Sequence, residues 1–209
     1  MDGFTFLFEA FVLLMGLAMA EVLGGFARVL KLRARRRAGR ENGVAVRIGW
    51  LVPLLGIFVI IDQATFFLHM YSLRNHLLFN AGSVIGILFL IGWFYLLSSL
   101  VFPDEPEDWP DFDEWYWQQK RWVIGGVLAI NVLSTIASLL VIPVEYYAEV
   151  AGISSRAYRI GSMVSVLVIP AMIWLLFSRR RRVDIALLTV ASLAVVIFGV
   201  LTVSEAQPG

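Results

Sequence analysis

The sequence predicts an all-α fold: a polytopic integral membrane protein built as a bundle of about six transmembrane helices with short loops. Of its 209 residues, 59% are hydrophobic and 16% are charged, and the mean hydropathy is +0.80. Soluble domains are roughly 45–50% apolar and 25% charged, and their interiors have no room for such an excess. The apolar residues also fall into about six stretches near the 20 residues that span a bilayer. We therefore expect a single transmembrane domain over residues 1–209.

The first three predicted helices are bounded by loop residues. The first covers about residues 4–30 and ends in the basic loop KLRARRRAGRENG. The second covers about 46–71, and the short turn SLRNH after it leaves room only for an antiparallel neighbour. The third therefore returns over about 77–102, where Pro103 stops it. Within it, the pair Gly82–Gly86 forms a GxxxG pattern, which favours close helix packing.

Residues 103–122, PDEPEDWPDFDEWYWQQKRW, form the one sizeable hydrophilic segment of the sequence. Seven acidic residues lie between Asp104 and Glu114. After Pro110 the aromatic residues predict a short amphipathic helix, and their number suits a membrane interface. We interpret this acidic, Trp-rich segment as cytoplasmic. The fourth, fifth and sixth helices are predicted at about 123–144, 158–177 and 183–203.

Basic residues are concentrated on one side of the predicted membrane. Fourteen of the 17 lie in or beside the loop between the first two helices, the loop between the last two, or the acidic segment. Cytoplasmic loops carry such an excess, so we predict that both termini are periplasmic. The bias toward arginine, 15 against 2 lysines, indicates a GC-rich bacterial genome and hence a bacterial inner membrane. The arginines predicted to bind anionic lipid or the acidic segment are Arg35, Arg36, Arg37, Arg179, Arg180, Arg181 and Arg182.

The acidic segment lies on the same predicted side as these arginines, and two interpretations are open. It can be a solvated loop, or it can form an ordered cap against Arg33–Arg37 or Arg179–Arg182. Isolated surface ion pairs add little stability, but a network can hold helix ends together. We favour the cap, because the tryptophans of the segment prefer an interface or a packed contact.

Ionisable residues inside the predicted helices are functional candidates, because a charge in hydrocarbon is costly and should face protein or water. Glu9 shares a face of the first helix with Gly16 and Ala20, a stripe that favours close packing. We therefore expect Glu9 to point toward another helix. Glu21 and Arg28 lie seven residues apart near the cytoplasmic end, a spacing typical of a structural pair.

The second helix carries a polar stripe of Asp62, Thr65, His69 and Ser72 that rises toward the outer surface. Histidine changes its charge near neutral pH, so the stripe can line a wet vestibule or pass protons. It can equally fix the bundle through hydrogen bonds between helices. We expect Asp62 to reach a polar group on the first, fourth or fifth helix, because exposure to lipid costs roughly 2.5–3.5 kcal/mol or more.

The fourth and fifth helices offer further polar side chains. Asn131, Ser134, Thr135 and Ser138 follow helical spacing on the fourth, and Arg159 lies near the outer end of the fifth. Hydroxyl groups in membrane helices more often strengthen packing than bind a ligand. The candidates for a transport or proton path are therefore Glu9, Asp62, His69, Asn131 and Arg159.

The composition excludes several classes of function. Without cysteine there is no disulfide and no thiolate metal site, and two histidines are too few for a histidine-rich metal site or paired haem ligands. We expect neither a metal nor a cofactor. There is no P-loop, zincin or GxSxG motif, so a membrane enzyme acting on lipid is the least supported function. A net charge of +1 gives no indication of nucleic-acid binding.

Two functional hypotheses remain. The first is a permease or channel for a small solute or ion, with a polar path along the first, second, fourth and fifth helices. The second is an accessory or scaffold subunit that binds a protein partner or anionic lipid through its charged cytoplasmic loops. Either is compatible with a homo-oligomer or with a partner membrane protein. A cavity that reaches Asp62 would separate the two, because a scaffold needs none.

Overall fold

The computed structural model describes residues 3–38, 46–73, 80–141 and 167–205, and over these ranges the fold is all-α. The prediction of an all-α chain is thereby confirmed. Four helices, α1 to α4, are long and apolar enough to cross a membrane, and α5 is a shorter apolar helix. The α-helices are α1 (Gly3–Arg37), α2 (Leu51–Leu73), α3 (Ala81–Ser99), α4 (Phe112–Val141), α5 (Val168–Phe177) and α6 (Arg181–Glu205), with a 3₁₀ turn at Pro106–Asp108.

Helix α2 lies at the centre of the bundle. It packs against α1, α3, α4 and α6, while α1 also packs on α3, and α5 lies between α4 and α6. Of its most apolar stretch, 56% is buried, against 28–33% in α1, α3 and α4. A polar side chain on α2 is therefore more often enclosed by protein than one on its neighbours. The polar stripe of α2 therefore lies on the most buried of these four helices.

The surface of the bundle is rich in large apolar side chains. Leu13 of α1 is 76% exposed, Ile85 of α3 67% and Trp174 of α5 64%. Soluble monomers rarely carry contiguous apolar patches of more than a few hundred Å², because such surface is unfavourable in water. Exposed apolar helix faces are compatible with contact with lipid.

Helix α2 begins at Leu51 rather than at the predicted residue 46. The residues before it are held in an extended contact with the acidic segment: the Arg47 N–H donates to the Pro110 carbonyl at 2.6 Å, and the Phe112 N–H donates to the Arg47 carbonyl at 3.0 Å. Pro53 consequently lies in the first turn of α2, where the missing proline N–H removes no helical hydrogen bond.

Helix α4 begins at Phe112, whereas the sequence predicted a membrane helix from residue 123 and a separate amphipathic helix before it. The two are one continuous helix of 30 residues. Asp111 starts it, because its Oδ1 accepts a hydrogen bond from the Asp113 N–H at 2.9 Å, the arrangement that satisfies a free donor of the first turn. The boundary was wrong because Asp113 and Glu114, whose charges resemble those of a loop, lie in the first turn of the helix.

Two close helix approaches depend on glycine, and neither is at the predicted GxxxG pair. A methyl group at Gly25 would overlap the ring of Phe102, and one at Gly126 would overlap Leu97. In contrast, Gly82 and Gly86 are both exposed, and a methyl group at Gly86 would have no atom within 4 Å. Within the described residues the predicted Gly82–Gly86 contact is therefore wrong.

Candidate functional site

A carboxylate of α2 and an amide of α4 connect these two helices at mid-bundle. The Asp62 side chain, on α2, is 7% exposed, and its Oδ1 accepts a hydrogen bond from Asn131 Nδ2 of α4 at 3.0 Å. Asn131 Nδ2 also donates to the Val127 carbonyl at 2.9 Å, which fixes the amide on its own helix. The predicted contact of Asp62 with a polar group on the fourth helix is confirmed.

The other carboxylate oxygen of Asp62 is in a different situation. Asp62 Oδ2 is buried and accepts no hydrogen bond from any residue that the structure describes. A buried polar atom without a partner is unfavourable, and more so when it belongs to an ionised group. Asp62 Oδ2 is therefore a hydrogen-bond acceptor to which no described residue donates.

A cavity of about 260 Å³, which Asp62 helps to line, lies between α2, α4, α5 and α6. One wall is polar and comes from α2 and α4, whereas the other is mainly apolar and comes from α5 and α6. Asp62 is the one carboxylic acid among the described residues that line the cavity. The cavity is lined by Asp62, Thr65, Phe66, His69, Asn131, Ser134, Thr135, Val168, Ile169, Met172 and Val195.

The hydroxyl groups of the polar wall donate to their own helices. Thr65 Oγ1 lies 2.9 Å from the Asp62 carbonyl, and Ser134 Oγ and Thr135 Oγ1 lie 3.0 and 2.8 Å from the Asn131 carbonyl. Such bonds use the hydroxyl hydrogen and leave oxygen lone pairs as acceptors. The wall is thus arranged to accept rather than to donate hydrogen bonds.

His69 continues the polar stripe on α2. Its Nε2 lies 3.1 Å from Ser138 Oγ of α4, and Ser138 Oγ in turn lies 2.8 Å from the Ser134 carbonyl. The predicted stripes on the second and fourth helices therefore face each other. They form interhelical contacts and line the cavity at the same time, so the two alternatives raised by the sequence do not exclude each other.

One of the predicted path residues, Glu9, does not belong to this site. Glu9 lies on an exposed face of α1, on the side of Gly16 and Ala20, so the expectation that it points toward another helix is wrong within the described residues. The side of α1 that packs carries Phe11 and other large side chains. No residue of α1 lines the cavity in the described part of the chain, and α6 does. Arg159 lies outside the described residues.

A second buried polar cluster lies near the start of α6, and the sequence analysis did not predict it. Lys120 Nζ of α4 donates to Asp184 Oδ2 at 2.8 Å and to the Ser178 carbonyl, and Tyr116 Oη donates to the same Asp184 oxygen at 2.9 Å. The Lys120 and Asp184 side chains are 3% and 0% exposed. Asp184 follows a run of arginines and resembles a loop charge, so nothing in the pattern indicates that it is buried.

The acidic segment forms an ordered cap at this same end. Arg181 Nε lies 2.9 Å from Asp113 Oδ2, and Arg47 lies 3.4 Å from Asp111 Oδ2. Trp115 Nε1 donates to the carbonyls of Leu100 and Val101 at 3.3 and 3.2 Å, which satisfies acceptors just beyond the end of α3. The segment therefore joins the ends of several helices, as the cap interpretation expected.

The predicted arginine clusters lie around this cap. Arg181 pairs with Asp113, as described above. Pro106 of the acidic segment lies beside Arg35, Lys31 and Arg28 at the end of α1. Nothing is described of the Arg36 side chain. The exposed members of the two clusters are Arg35, Arg37, Arg179, Arg180, Arg181 and Arg182.

Comparison with known proteins identifies no relative. No protein-family model matches the chain, no curated protein matches it, and no solved structure matches it. Among the described residues, no group of three or more His, Cys, Asp or Glu side chains could hold a metal ion. The function has to be inferred from the chemistry of the site itself.

Proposed function

We propose that this chain is a membrane permease or channel that admits a small cation, including a proton, to the cavity between α2, α4, α5 and α6. The observation that carries the proposal is Asp62, which lines a cavity of about 260 Å³ and has a buried carboxylate oxygen, Oδ2, without a partner among the described residues. An ionisable side chain inside a membrane domain is costly and commonly marks an ion or proton path.

The charge of the cavity favours a cation. No Lys or Arg lines it within the described residues, and its hydroxyl groups donate to their own helices. A bound cation would offset the Asp62 charge and could be coordinated by the hydroxyl oxygens of Thr65 and Ser134. An anion would meet a carboxylate and oxygen lone pairs, which repel it. The proposed path runs along α2 and α4, with α5 and α6 forming the opposite wall.

The same proposal includes six spans, a bacterial inner membrane and periplasmic termini. The cap supports this orientation, because it brings the ends of both arginine-rich segments and the acidic segment to one end of the bundle, and basic residues favour the cytoplasmic side. Reporter fusions at Ala38, Asp108 and Arg181 should all report the cytoplasm. A periplasmic signal at any one of them would contradict the orientation.

The transport proposal can be tested with the purified protein in liposomes that carry a pH-sensitive or cation-sensitive dye. Asp62→Asn removes the carboxylate and keeps the shape of the side chain. We expect it to lower proton or cation flux at least about tenfold, because the permeating cation loses a charged partner. Glu9→Gln is the matched control, because Glu9 is also a carboxylate within a candidate span but is exposed and outside the cavity. We expect its flux to stay within about twofold of the original protein.

The outcomes of this experiment separate the hypotheses. Equal loss of flux in the two variants would mean that the cavity is not the path. Absence of flux of protons, alkali cations and small organic cations in the original protein would overturn the proposal. Faster flux of chloride than of any cation would overturn the proposed preference for cations and the proposed role of Asp62 in binding them.

A scaffold function is the second candidate, and the ordered cap is the observation that favours it. Both acidic and basic side chains are exposed there, Asp104 and Arg180 for example, and they offer a mixed-charge surface to a protein partner. This function requires no flux through the bundle. A chain that stays inactive in liposomes but loses a co-purifying partner on charge reversal in the cap would be a scaffold.

A further inference from the structure

A second cleft, separate from the polar cavity, lies where the first turns of α4 meet the turn between α5 and α6. Its volume is about 530 Å³. Helix α4 supplies one side of it, and residues 178 and 179 supply the other. The lining residues are Trp117, Gln118, Lys120, Arg121, Trp122, Ser178 and Arg179.

The floor of this cleft is rigid. Lys120 is held by Asp184 Oδ2 at 2.8 Å and by the Ser178 carbonyl, and its Nζ lies 4.4 Å from the centre of the Trp117 ring. A cation over an indole face adds a further attraction. Because Asp184 neutralises Lys120, the net charge of the cleft depends on its other two basic residues. The contact also holds α4 against the α5–α6 turn, so the two sides of the cleft keep their separation.

Those two residues, Arg121 and Arg179, give the cleft a positive charge. Both are exposed, and neither forms an ion pair with any residue in the described part of the chain. They come from different elements and face one cleft together. Guanidinium groups bind phosphate oxygens in a bidentate manner, and two of them around one cleft suit a single phosphate group. Gln118 adds an amide donor.

The surroundings of the cleft are apolar and aromatic. Trp122 in its wall is 72% exposed, Phe177, next to Ser178, is 75% exposed, and Trp174, one turn earlier on α5, is 64% exposed. Tryptophan is enriched where a membrane protein crosses the headgroup region. A small hydrophilic anion would leave these surfaces uncovered, whereas a ligand with a phosphate and long apolar chains would cover them.

We propose that this cleft binds one anionic phospholipid, with the headgroup phosphate between Arg121 and Arg179 and the acyl chains along Trp122 and Phe177. This inference is independent of the proposed transport through the cavity at Asp62. Occupation of the cleft would join α4 to the α5–α6 turn through the lipid phosphate, in addition to the buried contact between Lys120 and Asp184. The bound lipid would then stabilise the same end of the bundle as the cap.

Native mass spectrometry of the full chain in detergent tests the site, with phosphatidylglycerol as the probe and phosphatidylcholine as the zwitterionic reference. The double variant Arg121→Gln/Arg179→Gln should weaken phosphatidylglycerol binding about thirtyfold, because it removes both charge-assisted contacts with the lipid phosphate. The matched control is Arg180→Gln/Arg182→Gln, which removes two exposed arginines from the same turn and helix start but none from the cleft. We expect it to change binding by less than about threefold.

Three results would overturn the proposal. Equal weakening in both double variants would indicate general attraction of an anionic lipid to basic residues. Equal binding of phosphatidylcholine and phosphatidylglycerol would exclude recognition of the anion. Displacement of the lipid by inorganic phosphate at similar concentration would make the cleft a site for soluble anions. All variants are compared by far-UV circular dichroism, so that a loss of folding is recognised.

Discussion

Two of the three aspartates that are almost fully buried in the described part of the chain, Asp62 and Asp184, have opposite surroundings. Asp184 is 0% exposed and faces Lys120 and Tyr116, both of which donate to its Oδ2. Asp62 is 7% exposed and faces one amide, that of Asn131, beside a cavity. The first carboxylate has a cationic partner within the protein. The second has none among the described residues.

The difference shows how a structural charge can be told from a candidate functional one. A charge buried with its counter-charge has a balanced environment in every state of the protein, so its natural role is to fix the packing of α4 on the start of α6. A charge buried beside a cavity and without a counter-charge is balanced only when something else enters. Burial alone does not separate the two aspartates, whereas their partners do.

The largest effect is expected for Asp184→Asn. The substitution leaves the Lys120 ammonium buried without its counter-charge, and breaking a buried ion pair costs about 3–5 kcal/mol of unfolding free energy. Unfolding of the purified protein by SDS in detergent micelles measures the change. A loss below about 1 kcal/mol would mean that the pair is hydrated and that the comparison with Asp62 does not hold.

The double variant Lys120→Met/Asp184→Leu is the control for this explanation. It removes both charges together, so the penalty of an unpaired buried charge is absent. We expect the double variant to be more stable than Asp184→Asn alone, although the Ser178 carbonyl and the Tyr116 hydroxyl each lose a partner. A double variant that is less stable than the single one would instead indicate that the shape of the pair is what α4 and α6 require.

Tyr116→Phe should have the next largest effect. The Tyr116 hydroxyl donates to the Asp184 carboxylate at 2.9 Å in a fully buried position, and a hydrogen bond to a charged group contributes roughly 1.5–3 kcal/mol. The ring itself stays in place, so the loss measured in SDS unfolding reports the hydroxyl alone. In the background of Asp184→Asn the same substitution should cost less, because its acceptor is no longer charged. Equal costs in both backgrounds would show that the two residues are not coupled.

Asp62→Asn should affect stability much less than Asp184→Asn. The asparagine oxygen can still accept from Asn131 Nδ2, and the substitution removes a charge that has no cation beside it. The unfolding free energy should therefore stay within about 1 kcal/mol of the original value. A loss as large as that of Asp184→Asn would show that Asp62 has a structural role. The transport proposal would then lose the observation on which it rests.

The sequence predicted the four long apolar helices and part of this site for a clear physical reason. Apolar stretches of membrane length are visible without knowledge of their neighbours, and the polar stripes of α2 and α4 stand out against apolar surroundings, so the contact between Asp62 and Asn131 could be expected. Helix α4 was harder to delimit, since its charged first turn at Asp113 looks like a loop.

The direction in which other charges point could not be predicted in the same way. In helices that are apolar on most sides, both the packed and the exposed faces are hydrophobic, so periodicity does not identify the inner face. Glu9 was assigned to the packed face because of Gly16 and Ala20, but α1 packs through Phe11 and Met15 instead. The burial of Asp184 depends on the packing of α6 beside Lys120, a tertiary contact that the sequence pattern does not contain.

The smallest effect is expected at the cap, for Arg181→Gln. Arg181 lies 2.9 Å from Asp113, but its side chain is 42% exposed, and an ion pair in contact with water contributes roughly 0.2–1 kcal/mol.

Salt should reduce this contribution further, since the Debye length falls from about 10 Å at 0.1 M to about 3 Å at 1 M. Limited proteolysis between Asp104 and Lys120 measures it directly: Arg181→Gln at low salt should be cut about as fast as the original protein at high salt. The part of the segment held by the edge-to-face contact of the Trp109 and Trp115 rings, whose centres are 4.9 Å apart, should stay protected under both conditions, because apolar contact is not screened. Rapid cutting on both sides of Trp115 at low salt would mean that the aromatic contacts do not hold the cap. The aromatic end of the segment would then be no better protected from protease than its charged end.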